Sequence, residues 1–199
     1  MENFIHKLTD GFIENGIICV QDRELYEYGL RQGVIMLCHL ITTVMLGLCF
    51  GMVVQSILFL VFYIPLRIFA GGFHTRSQLH CYFLTIAMTV AVLLLIRFIS
   101  WTTPLCFGMS AISAVVIGIL APVEDSNKHL DEKEVEVYRK KAVIILGIEG
   151  CMLSAFLFLQ WQFAAVPMSV ALCMVSGMLI VGKIANIQNA KAEPNNGVL

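Results

Sequence analysis

Residues 32–66, QGVIMLCHLITTVMLGLCFGMVVQSILFLVFYIPL, contain no Asp, Glu, Lys or Arg, and this stretch decides the fold. A membrane-spanning helix needs about 20 mostly apolar residues, because the hydrocarbon core of a bilayer is about 30 Å thick. One helix over the whole stretch would be about 52 Å long at 1.5 Å per residue, too long for a single crossing. The stretch therefore predicts two spans joined by a tight turn near Gly51 to Gln55.

The composition of the whole chain excludes a soluble fold. Of its 199 residues, 58% are apolar and 14% are charged, whereas a soluble domain has about 45–50% and about a quarter. The same apolar fraction excludes a disordered chain, and a formal net charge of −1 excludes a basic nucleic-acid-binding module. We expect an all-α polytopic membrane protein, in contact with the lipid bilayer and binding no nucleic acid.

Three further stretches poor in charge complete the set of spans. Residues 77–96 and 98–123 each accommodate one span. Residues 142–182 are interrupted only by Glu149 and accommodate two, with a turn around Gln160–Gln162 ahead of Pro167. The prediction is six transmembrane helices, over residues 32–50, 54–70, 79–97, 104–121, 142–160 and 165–184.

The positions of the basic residues predict the orientation. Six spans place both termini on one side of the membrane. If that side is the cytoplasm, twelve of the thirteen Lys and Arg residues are cytoplasmic and only Arg97 lies outside, as the positive-inside rule requires. A four-span chain would scatter these residues over both faces, so we expect six spans with both termini and the loop after the second span in the cytoplasm.

The chain is expected to form a single integral membrane domain over residues 1–199. In residues 1–30, apolar side chains recur at helical spacing (Phe4, Ile5, Leu8, Phe12), which indicates an amphipathic helix in the membrane interface. The loop over residues 122–141 is the strongly charged stretch, and its charged residues from Glu132 to Lys140 predict a solvated helical extension. The predicted parts are the interfacial region 1–30, the six-helix bundle 31–185 and a polar cytoplasmic tail 186–199.

Cys81 differs from the other six cysteines by its neighbours. No two cysteines have C-x-x-C spacing, and most lie in apolar runs where Cys acts as a small hydrophobe. Cys81 ends the polar segment 67–81, RIFAGGFHTRSQLHC. If Ser77 caps the third span, Cys81 lies in or just after its first turn, where the helix dipole and Arg76 favour the thiolate. This pattern predicts a nucleophilic cysteine.

His74 is the preferred general base for Cys81. In one straight helix the two residues would be about 10.5 Å apart along the axis, whereas proton transfer requires about 3 Å. The chain must therefore fold back between them, and Gly71 and Gly72 would supply the conformational freedom. His80 is the competing base, although it projects from a different helix face. A metal site at His74, His80 and Cys81 would lack a fourth ligand, so we expect no metal and no cofactor.

The pattern R-x-x-x-G-G-x-H-x-x-x-x-x-x-C, formed by Arg67, Gly71, Gly72, His74 and Cys81, resembles the signature of the accessory gene regulator protein B family. These proteins are membrane cysteine endopeptidases that process quorum-sensing propeptides in Gram-positive bacteria. The resemblance implies that His74 and Cys81 are catalytic and that Arg67, Gly71 and Gly72 support activity. It also implies a Gram-positive cell membrane location, a small autoinducer propeptide as substrate and a possible homodimer.

The reaction implied by the resemblance is a cyclising cleavage. Cys81 would attack a carbonyl in the C-terminal part of the propeptide and form a thioester. An internal Cys or Ser of the propeptide would then displace the enzyme and close a thiolactone or lactone ring. A thioester keeps the acyl group activated for ring closure as long as water is excluded.

Three points stay open from the sequence. The oxyanion hole could come from backbone N–H groups near Cys81 or from Arg67, and no third catalytic member is identified. Glu149 lies well inside a span, where an ionisable residue is either functional or satisfied by a neighbouring helix or a basic residue. The alternative functions are a small six-span transporter or peptide exporter without protease activity, and a non-catalytic scaffold.

Overall fold

Long apolar stretches form helices in this chain because a lipid-exposed backbone must satisfy its own hydrogen bonds. The computed structural model describes residues 2–72, 78–123 and 131–192. Within those residues there is no β-strand, and a short 3₁₀ turn at Val20–Asp22 accompanies seven α-helices. They are α1 (Glu2–Glu14), α2 (Arg23–Cys49), α3 (Val53–Ala70), α4 (Gln78–Phe98), α5 (Thr103–Leu120), α6 (Glu132–Phe158) and α7 (Gln162–Ala192).

Helices α2 to α7 are each long and apolar enough to cross a membrane, which confirms the six predicted spans. Residues 32–66 form two helices, with the turn at residues 50–52. The last pair turns at residues 159–161, as expected. The chain is therefore an all-α, multi-pass membrane protein.

Three helices run further into polar sequence than the predicted spans. α2 begins at Arg23 and not at residue 32, and α7 continues to Ala192, into the stretch predicted as a polar tail. α6 begins at Glu132, where the side chains of Asp131 and Glu134 form a capping box. The charged stretch before the fifth span is thus helical, as expected. Adding a turn to an existing helix costs little, so the helices do not end where the apolar residues end.

Residues 1–43 form a compact unit of their own. Its α1 confirms the predicted N-terminal helix, with Ile5 buried on one face. Polar contacts join α1 to the start of α2: His6 Nδ1 lies 2.7 Å from Glu27 Oε1, and Arg23 Nη2 lies 2.9 Å from Asp10 Oδ1. Arg23 also contacts Glu27 at 2.9 Å. Because Glu27 and Arg23 each have two partners, these residues form one network.

Residues 44–199 form the second compact unit, and α7 is its central helix. α7 packs most extensively against α3 and α5, and α3 also packs against α6. In the span of α7, 67% of the residues are buried, compared with at most 28% in any other span. Small residues on α7 allow this close approach, including Ala165, Ser169 and Ala171, each at most 1% exposed.

The turn between α2 and α3 is held at two points within this second unit. A Cβ on Gly47 would overlap the side chain of Ser56, so the two helices approach closely there. Arg97 Nη1, at the end of α4, lies 3.5 Å from the carbonyl oxygen of Phe50 in the turn. The basic residue predicted to lie alone on the outer face thus reaches the backbone of a neighbouring loop.

Candidate active site

Gly71 and Gly72 end α3 in a backbone conformation that other residues rarely adopt. Their φ angles are +72° and +117°. The Val123 N–H donates to the Ala70 carbonyl at 2.9 Å, and the Gly72 N–H donates to the Val123 carbonyl at 3.1 Å. A Cβ on Gly71 would overlap the carbonyl oxygen of Val123. The conformational freedom expected of these glycines is used here to form a positive-φ, closely packed connection to Val123.

Gly72 also makes room for Arg67, one turn back on α3. A Cβ on Gly72 would lie 2.6 Å from Arg67 Nη1 and 3.1 Å from the carbonyl oxygen of Met178 on α7. The Nη1 atom is itself buried. The absence of a side chain at position 72 therefore lets the guanidinium lie against the end of α3, next to α7.

Tyr63 joins Arg67 to Cys81. The Arg67 guanidinium and Cys81 both lie close enough to the Tyr63 hydroxyl to act on it electrostatically. Residues 63 and 67 are one helical turn apart on one face of α3. That i, i+4 spacing is the sequence signal that could have identified Tyr63, which the sequence reasoning missed.

Cys81 is the fourth residue of α4, which begins at Gln78. It is partly buried and forms no disulfide, and its carbonyl accepts a hydrogen bond from Thr85 Oγ1 at 3.0 Å. The sulfur therefore belongs to the first turn of a helix, where unpaired backbone N–H groups and the helix dipole favour a negative charge. His80, the competing base, is exposed.

The structure thus brings four of the five signature residues to the same end of the bundle. Arg67, Gly71 and Gly72 are in direct proximity, and Cys81 reaches them through Tyr63. His74 lies outside the described residues, as do Arg76 and Ser77. The position of His74 therefore stays a prediction from the sequence.

The N-terminal half of α6 adds positive charge at this end of α3. Lys141 Nζ lies 5.1 Å from the centroid of the Phe69 ring, in a cation–π contact. Tyr138 packs on the same ring, with centroids 5.9 Å apart. Among the described residues no group of three His, Cys, Asp or Glu side chains is arranged to hold a metal ion.

The family model described as AgrB, accessory gene regulator B, matches residues 5–185. The chain belongs to this family. A protein of Clostridium perfringens strain SM101 named as AgrB-like is 25% identical over 179 residues, covering 83% of each chain. A second AgrB-like protein, from strain 13 of the same species, is 27% identical over 135 residues, covering 63% of each chain. No solved structure is significantly similar to the chain.

Membership of the AgrB family confirms the resemblance seen in the signature residues. The match covers all six spans and most of the N-terminal helix, so it extends well beyond the fifteen-residue signature. It supports a role for this membrane protein in processing a quorum-sensing propeptide.

Proposed function

We propose that the chain is a membrane cysteine endopeptidase that cleaves a small autoinducer propeptide in its C-terminal part and promotes its cyclisation. One observation carries this proposal: the first turn of α4 presents Cys81, which forms no disulfide, near Tyr63 and Arg67. A thiol is the side chain that attacks a carbonyl to form a thioester, and a nearby guanidinium can stabilise the oxyanion that results. Membership of the AgrB family supplies the substrate class.

The chemistry follows from these groups. His74 would take the proton of the Cys81 thiol, and the thiolate would attack the scissile carbonyl. Arg67 would stabilise the oxyanion of the tetrahedral intermediate. Cleavage of the C–N bond, with the proton passing to the leaving amine, leaves the N-terminal part of the propeptide as a thioester on Cys81. An internal thiol or hydroxyl of the propeptide then attacks this thioester, which closes the ring and returns the proton to Cys81.

The proposed orientation places the site and both termini in the cytoplasm of a Gram-positive cell. The support is the charge distribution, with twelve of thirteen Lys and Arg residues on that side. A substrate made in the cytoplasm would then reach Cys81 without first crossing the membrane.

The test is to isolate the acyl-enzyme. Membranes containing the chain would be incubated with candidate propeptides, and covalent adducts mapped by mass spectrometry. We expect the N-terminal part of the propeptide on Cys81, released by neutral hydroxylamine as a thioester must be. The His74→Ala variant should form no adduct, whereas His80→Ala, at an exposed position beside Cys81, should form it normally.

Two outcomes would contradict the proposal. Cleavage by the wild-type chain with the adduct on another cysteine would exclude Cys81 as nucleophile. If His80→Ala failed and His74→Ala still formed the adduct, the base would be His80 and not His74.

Tyr63→Phe is predicted to lower the rate of processing on the order of 10-fold with little loss of stability. The phenyl ring keeps the packing but removes the hydroxyl that lies near both the Arg67 guanidinium and Cys81, and a polar contact with a charged group contributes about 1.5–3 kcal/mol. Initial rates of propeptide cleavage and thermal unfolding in detergent would be measured together. Tyr28→Phe, at an exposed position, is the matched control. An unchanged cleavage rate in Tyr63→Phe would show that Tyr63 does not position Arg67.

A further inference from the structure

Glu149 places a carboxyl group inside the bundle, far from the site described above. The residue is 4% exposed, and its Oε2 atom is buried without a hydrogen-bond partner. It shares the inward face of α6 with Ala142, Leu153 and Leu157, which are all buried. The carboxyl is thus surrounded by packed helices, and the sequence-based possibility that a basic residue or a neighbouring helix satisfies it does not hold for this atom.

No charged group compensates this carboxyl among the described residues. The helices packed on α6 are α3, α5 and α7. Their titratable side chains include Tyr63 and Arg67 on α3, Cys106 on α5, and Cys173 and Lys183 on α7. None of them acts on Glu149, for which burial is the one influence found. An ionised carboxylate in such surroundings is strongly disfavoured, because burial removes its hydration and nothing replaces it.

A proton is the cation that a single carboxyl group can bind. Hard metal ions take six or more oxygen ligands, and no cluster of three acidic, His or Cys side chains occurs in the part of the chain that is described. A bound proton needs one oxygen only, and it removes the charge that burial disfavours. A single carboxyl group is therefore suited to bind a proton and not a metal ion.

Hydroxyl groups on the neighbouring helices α5 and α7 lie at about the same depth in the bundle as Glu149. Ser113 Oγ lies 3.3 Å from both Cys173 Sγ and Ser176 Oγ, and Ser110 Oγ is buried without a partner. The end of α6 and the start of α5 lie on the same side of the bundle. At 1.5 Å per residue, Glu149 is about 14 Å from that end of α6, and Ser110 is about 11 Å from that start of α5. This layer of the bundle is therefore polar, although it lies in the middle of the spans.

We propose that Glu149 is a proton-binding site of the bundle. The carboxyl holds a proton at neutral pH while α3, α5, α6 and α7 are packed, and it releases the proton when separation of the helices admits water. Opening of the bundle is thereby coupled to proton release. The proposal goes beyond peptide cleavage and does not rest on it, because no group at the Cys81 site is involved.

The experiment uses dicyclohexylcarbodiimide, an apolar reagent that modifies protonated carboxyl groups in lipid. The full-length protein would be labelled in liposomes from about pH 6 to about pH 9, and the modified peptides mapped by mass spectrometry. We expect modification of Glu149 that decreases as the pH rises, in the wild type and equally in Cys81→Ala. Glu149→Gln should lose this label, and Glu136→Gln, whose side chain is 69% exposed, should keep it. A water-soluble carbodiimide should modify Glu136 and spare Glu149.

A second measurement follows from proton linkage. The packed state binds one more proton than the unfolded state, so its stability falls as the pH rises. The thermal stability of the wild type should therefore decrease with pH relative to that of Glu149→Gln. Peptide mapping of the wild type decides the question even if the variant does not fold. Absence of the apolar label on Glu149 in folded protein at about pH 6, or preferential labelling by the water-soluble reagent, would overturn the proposal.

Discussion

Cys81→Ala is expected to abolish propeptide processing, with a loss on the order of 10⁴-fold or more, as removal of a nucleophile does in other proteases. Without the sulfur no thioester can form, and the remaining groups of the site can only bind substrate. The fold should be retained, because Cys81 is a small, partly buried residue in the first turn of α4. The measurement is the rate of cleavage at equal amounts of membrane-inserted protein.

Two variants make this prediction specific. Cys151→Ala removes an exposed thiol from α6 and should process normally. Cys81→Ser keeps a hydroxyl at the same position but should fail, because a hydroxyl is not ionised under conditions where a thiol forms a thiolate. Processing at the wild-type rate by Cys81→Ala would end the endopeptidase proposal, and the exporter and scaffold alternatives would then have to be considered.

Gly71→Ala is expected to destabilise the second unit of the protein by on the order of 3 kcal/mol or more. Alanine at φ +72° stores backbone strain, and its Cβ would overlap the carbonyl oxygen of Val123, which is backbone and cannot rotate away. The contact between the end of α3 and residues 121–123 would have to open. Unfolding of the purified protein in detergent, together with the yield of inserted protein, measures the effect.

Gly118→Ala on α5 is the matched control, because a Cβ there meets open space. It should leave stability unchanged or slightly increased, since alanine favours a helix over glycine by up to about 1 kcal/mol. Gly72→Ala should differ from both. Its Cβ would displace the Arg67 guanidinium as well as being strained at φ +117° and close to the Met178 carbonyl, so both processing and stability should fall. Equal stabilities of Gly71→Ala and Gly118→Ala would contradict the packing described here.

The spans could be predicted from the sequence because charge is scarce in this chain. A bilayer excludes charged residues from its centre, so residues 32–66 and the other charge-poor stretches mark the membrane without any tertiary information. Helix ends were harder to predict. The bilayer restricts which residues lie within it but does not end a helix, which is why α7 continues to Ala192 and α2 begins at Arg23.

The sequence indicated which residues to consider for the candidate site, but not how they are arranged in space. Dense polar chemistry beside a span was enough to select residues 67–81, which lie within the AgrB match over residues 5–185. Tyr63 was not selected, because it lies within an apolar span and gains its role only through Arg67 and the approach of α4. His74 lies outside the described residues, so its assignment as base stays a prediction.

By itself the sequence determined that the chain is an all-α, six-span membrane protein and which short segment carries reactive side chains. Both follow from local properties, the distribution of charge and the identity of neighbouring residues. Only the tertiary structure decided what the two glycines do and whether Glu149 has a partner. Each of those answers depends on contacts with distant parts of the chain. Val123 and Met178 lie against the two glycines, and within the described residues no group bonds to Glu149 Oε2.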